Sequence, residues 1–145
     1  MPLKIRRATP KEIPELSKLY FEEFSAIDKE WTLGSAKSRV KQALRISPKW
    51  SFIIELDGAA IGLVFAQDFN YAPGKCLLLT EVCVRSGYQN RGYGHKALAI
   101  LIKKAKKLGY KYIYLTAVRT KTALSLYRKS GFMPVKDFME LERKL

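Results

Sequence analysis

The sequence predicts a mixed α/β (α+β) fold, a central mixed sheet of six to seven strands flanked by about four helices. Three observations carry that expectation. Strand-like and helix-like apolar periods follow one another as strand, helix, helix, three strands, helix, strand, helix and one or two final strands. The 145 residues are 48% hydrophobic, enough to bury a real core, so residues 1–145 form one globular domain. A long apolar strand also runs into a glycine-bearing turn and then an amphipathic helix, and the rest of the chain is arranged around that junction.

Leu3 to Ala8 reads as a short strand, and the same reading back to Met1 leaves no leader peptide. Thr9-Pro10-Lys11-Glu12 is a capping box with Pro at the first helical position. Ile13, Leu16, Tyr20 and Phe24 predict a helix to about Phe24, in which Pro14 removes one bond if the helix opens as early as Pro10. Asp28 to Gly34 connects to a second helix over Ser35 to Ile46, with Val40, Ala43 and Leu44 as a weak apolar face. Ser51 to Leu56 and Ala59 to Asp68 are strands around Asp57-Gly58, a two-residue hairpin signal. Asn70 to Lys75, with Pro73-Gly74, is the next turn. Cys76 to Val84 is the apolar central strand, and Arg85 to Gln89 leads off it. From Tyr93 to about Leu108, Gly94, Ala97, Leu98, Leu101, Ala105 and Leu108 form one stripe of a helix that Gly109 stops. Lys111 to Val118 is β-rich, Lys121 to Ser130 is a short helix stopped by Gly131, and Phe132 onward reads as one or two strands.

Composition excludes several classes. The apolar runs fall far short of the ~18 residues that span a membrane. Cys76 and Cys83 lie seven apart in one strand, ~23 Å from each other, too far to bridge. One His and no paired-Cys motif leave no metal site. These features read as a reduced, cytoplasmic protein with no membrane partner. Residues 1–81 carry 12 Lys/Arg and 10 Asp/Glu, residues 82–136 carry 13 and none, and residues 137–145 carry 2 and 3. The +14 excess therefore lies in the segment with the glycine turn. Such a field draws in an anionic cofactor or a polyanion such as nucleic acid, or simply solvates a face.

Gln89-Asn90-Arg91-Gly92-Tyr93-Gly94 forms the turn itself. Two glycines before a helix N-terminus let backbone N–H groups approach an anion closely. The dinucleotide fingerprint is excluded, because no acidic residue stands between Glu81 and Asp137 to hold a ribose. The P-loop pattern is absent. What remains is Gln/Arg-x-x-Gly-x-Gly/Ala, which resembles the acetyl-CoA loop of the GNAT N-acetyltransferases. The element order resembles that family over nearly the whole chain. So do Ile5-Arg6-Arg7-Ala8-Thr9 before the first helix and Leu126-Tyr127-x-x-x-Gly131-Phe132 near the end. One departure is Thr120, where the family often has Asn.

The resemblance implies roles. Loop amides from Arg91 through Gly92, Tyr93 and Gly94 to His95 would hold a pyrophosphate, with Gln89 and Asn90 opening the loop and Arg91 or Lys96 adding charge. The backbone of Val82, Cys83 and Val84 would meet the pantetheine arm, an extended chain of amides. Thr120 would replace part of the missing Asn contact. Tyr127 would give a proton to the departing thiolate, since a phenol near pKa ~10 does so at slight cost. Glu81, the one carboxylate of the central strand, is a candidate base with a raised pKa, on one face with Leu79 and Cys83; a water or a backbone relay is the alternative. Some relatives have a Glu where this chain has Thr116. Cys83, with no His beside it, reads as an inert thiol, and His95 as a phosphate-facing residue.

The function so implied is acetyl-CoA-dependent N-acetyl transfer, with no metal, to a protein N-terminus, a lysine or a small amine. The acceptor pocket would draw on the two N-terminal helices and the Asn70–Lys75 turn, with Trp31, Phe69 and Tyr71 as candidate lining residues. The protein would be a monomer or homodimer. Two other readings stand beside it, a basic nucleic-acid-binding module and a GNAT-like protein that binds acyl-CoA without turnover.

Overall fold

The computed structural model describes residues 2–145; Met1, part of the first strand expected from the sequence, lies outside them. Five strands form in the described residues: β1 (Leu3–Arg7), β2 (Ser51–Leu56), β3 (Ala59–Tyr71), β4 (Gly74–Val84) and β5 (Tyr112–Tyr114). They lie side by side in chain order. The first four are antiparallel, and β5 joins parallel to β4 after a crossover helix.

Alternation along the strands sends side chains to two helical layers. Ile53, Leu63 and Phe65 meet α1 (Ile13–Phe24) and α2 (Leu33–Ile46) through Leu16, Leu19, Tyr20 and Val40. Phe52, Ile54, Val64 and Leu77 meet α3 (Tyr93–Lys107) through Ala97, Leu98, Leu101 and Ala105, and Leu126 and Tyr127 of α4 (Lys121–Lys129) join that layer. Each fully buried Leu, Ile or Phe stabilises the fold by about 1.5–3 kcal/mol. No helix among the described residues is long and apolar enough to cross a membrane.

Several elements differ from those expected. The capping box at Thr9 opens a turn of 3-10 helix, Pro10–Glu12, and the α-helix starts only at Ile13. Pro14 thus falls in the first turn, where its missing N–H costs nothing. α2 begins at Leu33, capped by Thr32 in a second box with Ser35. β3 runs on to Tyr71 and β4 starts at Gly74, so the turn contracts to Ala72-Pro73. β5 has three residues, because its pairing with β4 ends at Leu78 opposite Tyr114. The strands predicted after Phe132 are not formed, so the sheet has five strands rather than six to seven. Strand-like patterning makes a ladder only against a partner, and Met133, Phe138, Met139 and Leu141 are exposed, with Pro134 lacking an N–H.

An irregularity in β4 decides which layer its upper side chains join. Leu79 pairs with Ala66 and Glu81 with Phe65, so Thr80 is an extra residue, a β-bulge. The bulge resets the alternation. Leu77 and Leu79 belong to the α3 layer below it, and Val82 and Val84 belong to that layer above it, while Cys83 turns to α1 and α2. Glu81 therefore shares a face with Cys83 but not with Leu79, which corrects the simple alternation. The upper part of β4 also lies close on β3: a Cβ on Gly62 would stand 2.2 Å from the Cys83 carbonyl oxygen, so only glycine fits there.

Candidate active site

β4 runs on from Leu79 to Val84 after its last pairing with β5. Its edge on that side is open over this length, while the other edge is held by β3. At the end of the strand the Arg85 N–H donates to the Ile61 carbonyl at 2.7 Å. A turn of 3-10 helix, Ser86–Tyr88, then leads to the glycine loop. Gln89 Nε2 donates to the Val84 carbonyl at 2.7 Å, which occupies one lone pair of that oxygen.

Asn90 and Gly92 both have left-handed backbones, with φ of 62° and 83°. Gly92 is the N-cap of α3 and nothing lies within 4 Å of where its Cβ would be, so the conformation and not crowding selects glycine. The amides from Asn90 to His95 donate to no protein acceptor among the described residues; the first bond of the helix is Lys96 N–H to the Gly92 carbonyl at 3.0 Å. Unpaired N–H groups in a left-handed turn at a helix N-terminus form a concave anion site. The residues present fit a diphosphate. Arg91 and Lys96 flank the site over the rings of Tyr88 and Tyr93, each 6.0 Å from a centroid. His95 instead faces α4, with Nδ1 3.3 Å from Ser130 Oγ.

α4 brings Tyr127 to the same end. Thr120 caps this helix by accepting from the Ala123 N–H at 3.2 Å, so its hydroxyl is committed locally. Tyr127 is half-buried against Phe132, with ring centroids 5.8 Å apart. Burial, and then the neighbouring Cys83, push the Tyr127 hydroxyl above its ordinary range, so it stays protonated at neutral pH. The start of α3 meets α4 at Gly94, where a Cβ would lie 3.5 Å from Leu126.

Glu81, the candidate base, is engaged by an arginine and a tyrosine. Arg39 Nε donates to one carboxylate oxygen and Nη2 to the other, both at 2.8 Å, and the Tyr20 hydroxyl adds a bond of 2.7 Å. Burial pushes its carboxyl up, but hydrogen bonds and charge from Arg39, with further bonds from Thr80 and Tyr20, outweigh that and hold it below the usual carboxylate range. The expected raised pKa is thus reversed. Arg39 Nη2 also reaches Thr80 Oγ1 at 3.1 Å, tying α2 to the bulge. Nothing in the chain pattern singles out Arg39, an arginine on a weakly amphipathic helix, and Tyr20 reads there only as an apolar position.

Cys83 is half-buried, and burial followed by Glu23 raises its thiol, so it is a poor nucleophile. Trp31 packs on Tyr20, 4.9 Å between centroids. Phe69 and Tyr71 pair with Cys76 and Gly74 near the other end of β4 and pack on Tyr114, so the three candidate lining residues do not converge. The basic excess faces outward. A groove of about 330 Å³ between α3 and α4 is lined by His95, Ile102, Lys103, Lys106 and Lys129. No ion pair among the described residues involves a cation of α3 or α4. No cluster of metal-ligating side chains occurs among them either.

The family model for the acetyltransferase (GNAT) family matches residues 13–132, from the start of α1 through Phe132. The chain belongs to the GNAT family. By that membership it is an acyltransferase. Solved structures of the same fold include a predicted acetyltransferase from Clostridium acetobutylicum with acetyl-CoA, at TM-score 0.74 and 19% identity, covering 97% of this chain and 96% of that one. An aminoglycoside acetyltransferase from an uncultured soil metagenomic sample, in complex with trehalose, aligns at TM-score 0.77 and 17% identity, covering 99% and 96%. The aminoglycoside N-acetyltransferase AAC(6')-Iy in complex with CoA aligns at TM-score 0.74 and 16% identity, covering 99% and 96%. At these identities the likeness is one of fold. No curated protein matches this acetyltransferase in sequence.

Proposed function

We propose that this acetyltransferase moves the acetyl group directly from acetyl-CoA to a primary amine on a small molecule, with residues 1–145 acting as one domain. The observation that carries the reading is the convergence of the open β4 edge, the unpaired loop amides and the protonated Tyr127 at one end of the sheet. The amides of Arg91 to His95 hold the pyrophosphate, with Arg91 and Lys96 adding charge. Backbone groups of Val82 and Cys83, and the N–H of Val84, align the pantetheine arm. The amine nitrogen attacks the thioester carbonyl, the C–N bond forms, the C–S bond breaks, and Tyr127 gives its proton to the thiolate. A water relay takes the amine's proton, because Glu81 is already engaged by Arg39. Aminoglycoside acetyltransferases among proteins of the same fold support a small-molecule acceptor. Two unbridged cysteines suit the reducing cytoplasm.

Calorimetry at moderate salt with acetyl-CoA, CoA and ATP tests the cosubstrate site, and a panel of amines read by mass spectrometry tests transfer. The expected outcome is micromolar binding of acetyl-CoA and CoA, well above ATP, and a mass gain of one acetyl group on a small amine. The unpaired lysines along the α3–α4 groove favour a second reading, nucleic-acid binding. Affinity that tracks phosphate count alone and falls steeply with salt would bring that reading forward.

A further inference from the structure

The approach to the cosubstrate loop has few bonds of its own, those of the Arg85–Gln89 turn and the one from Gln89 Nε2 to the Val84 carbonyl. Between Val84 and Asn90 the chain has one short turn of 3-10 helix and no strand partner. Further anchors come from elsewhere. Arg85 Nε donates to the Ala60 carbonyl on β3 at 3.1 Å, and Arg85 Nη1 reaches Glu22 on α1 at 3.3 Å. Four more hydrogen bonds go to Glu23, one residue before α1 ends. Its Oε1 accepts from Ser86 Oγ at 3.0 Å and from Gln89 Nε2 at 3.3 Å; its Oε2 accepts from the Ser86 N–H at 3.3 Å and from Ser86 Oγ at 3.3 Å. No cation pairs with this carboxylate among the described residues. All its partners are neutral donors of the loop's approach. Gln89 is shared, since the same Nε2 also caps the Val84 carbonyl at the end of the central strand.

We infer that Glu23 is a positioning residue for acetyl-CoA, setting the pose of the pyrophosphate loop from the end of α1. The inference rests on the loop being the cosubstrate site, and it adds which residue outside the loop fixes its shape. The same helix carries Tyr20, which bonds Glu81 and stacks on Phe24 with centroids 4.3 Å apart. Glu23 thus ties the helix that carries this aromatic cluster to the approach of the loop.

The sign of the expected effect separates this role from plain electrostatics. A carboxylate near a polyanion site repels the ligand, so removing its charge alone would tighten binding. Removing a geometric clamp would loosen it. In Glu23→Gln the amide oxygen can still accept from Ser86, but the amide nitrogen opposes the Gln89 donor, so the change falls on the loop side of the clamp. The measurements are the Kd of acetyl-CoA by calorimetry, the steady-state KM and kcat with the amine found active, and the melting temperature. Glu15→Gln, exposed on the same helix, is the control.

Glu23→Gln is expected to raise Kd and KM for acetyl-CoA about 3- to 10-fold, with kcat changed less than about twofold. Ser86→Ala, which cuts the clamp from the other side, is expected to do the same, and the double variant to add little beyond the worse single change. Unchanged or tighter binding in Glu23→Gln, with wild-type binding intact, overturns the inference. So does a drop in kcat at constant KM. If Glu23→Gln does not fold, Ser86→Ala decides by the same criterion. If wild-type protein itself does not bind acetyl-CoA, the cosubstrate reading fails, and that result is distinct from failure of the clamp.

Discussion

Tyr127 has Phe132 beside its ring and Leu126 before it on the helix, and it packs in the apolar layer of α3. Neither is a base or a counter-ion, so the phenol is kept neutral chiefly by burial. A neutral phenol is what an expelled thiolate needs. Tyr127→Phe keeps the packing and removes only the hydroxyl. The expected outcome is a fall in kcat of about 100-fold with the Kd of acetyl-CoA unchanged, measured by single-turnover kinetics and calorimetry. Because the Tyr127 pKa lies above its ordinary value near 10, an alkaline fall in rate below that pH would come from another group. The sequence singles out Tyr127 by a motif with a fixed helical context, and the acid role proposed for it is what Tyr127→Phe tests. For Glu81 the sequence singles out the carboxylate but not the direction of its pKa. A buried carboxylate alone rises in pKa, and one with a bidentate arginine falls, and nothing in the chain pattern says that Arg39 on α2 reaches across to it.

At the scale of elements, the Arg39–Glu81–Tyr20 network joins α2, β4 and α1 at the bulge. The Glu81 side chain is only 9% exposed and that of Arg39 18%, so losing one partner strands a charge. Arg39→Ala should destabilise the protein by about 3–5 kcal/mol in urea unfolding, whereas Arg39→Met with Glu81→Leu, which removes both charges, should cost far less. Element existence was largely readable. Periodicity found both N-terminal helices, the hairpin at Asp57-Gly58, the central strand and α3. What it missed depends on partners. The bulge at Thr80 exists because of how β4 meets β3, and no residue type announces it. The short β5 and the unformed strands after Phe132 are failures of pairing, not of propensity.

At the scale of the whole molecule, the ionic contacts set the response to acid. Glu12 accepts two hydrogen bonds from Arg6 and one each from the Thr9 N–H and hydroxyl, and its carboxyl is lowered from 4.5 to about 2, chiefly by the Arg6 bonds. Glu81 is lowered as well. A depressed carboxylate contributes stability that is present above its unfolded pKa and is lost as pH falls through the folded one. Stability should therefore decline from about pH 4.5 toward pH 2, followed by circular dichroism, and Glu12→Gln should flatten that slope.

The acids that carry this response all lie in the first 81 residues, and the next 55 hold 13 cations with no acid among them. Along α3 and α4 those cations face one another across a groove without a carboxylate partner among the described residues. Such self-repulsion is a standing tension in the folded state. Multivalent anions relieve it, and mass action turns that relief into stability. The solvent is then a partner in folding. For this chain the valence of the buffer anion, not ionic strength alone, helps to set how firmly the second helical layer sits on the sheet.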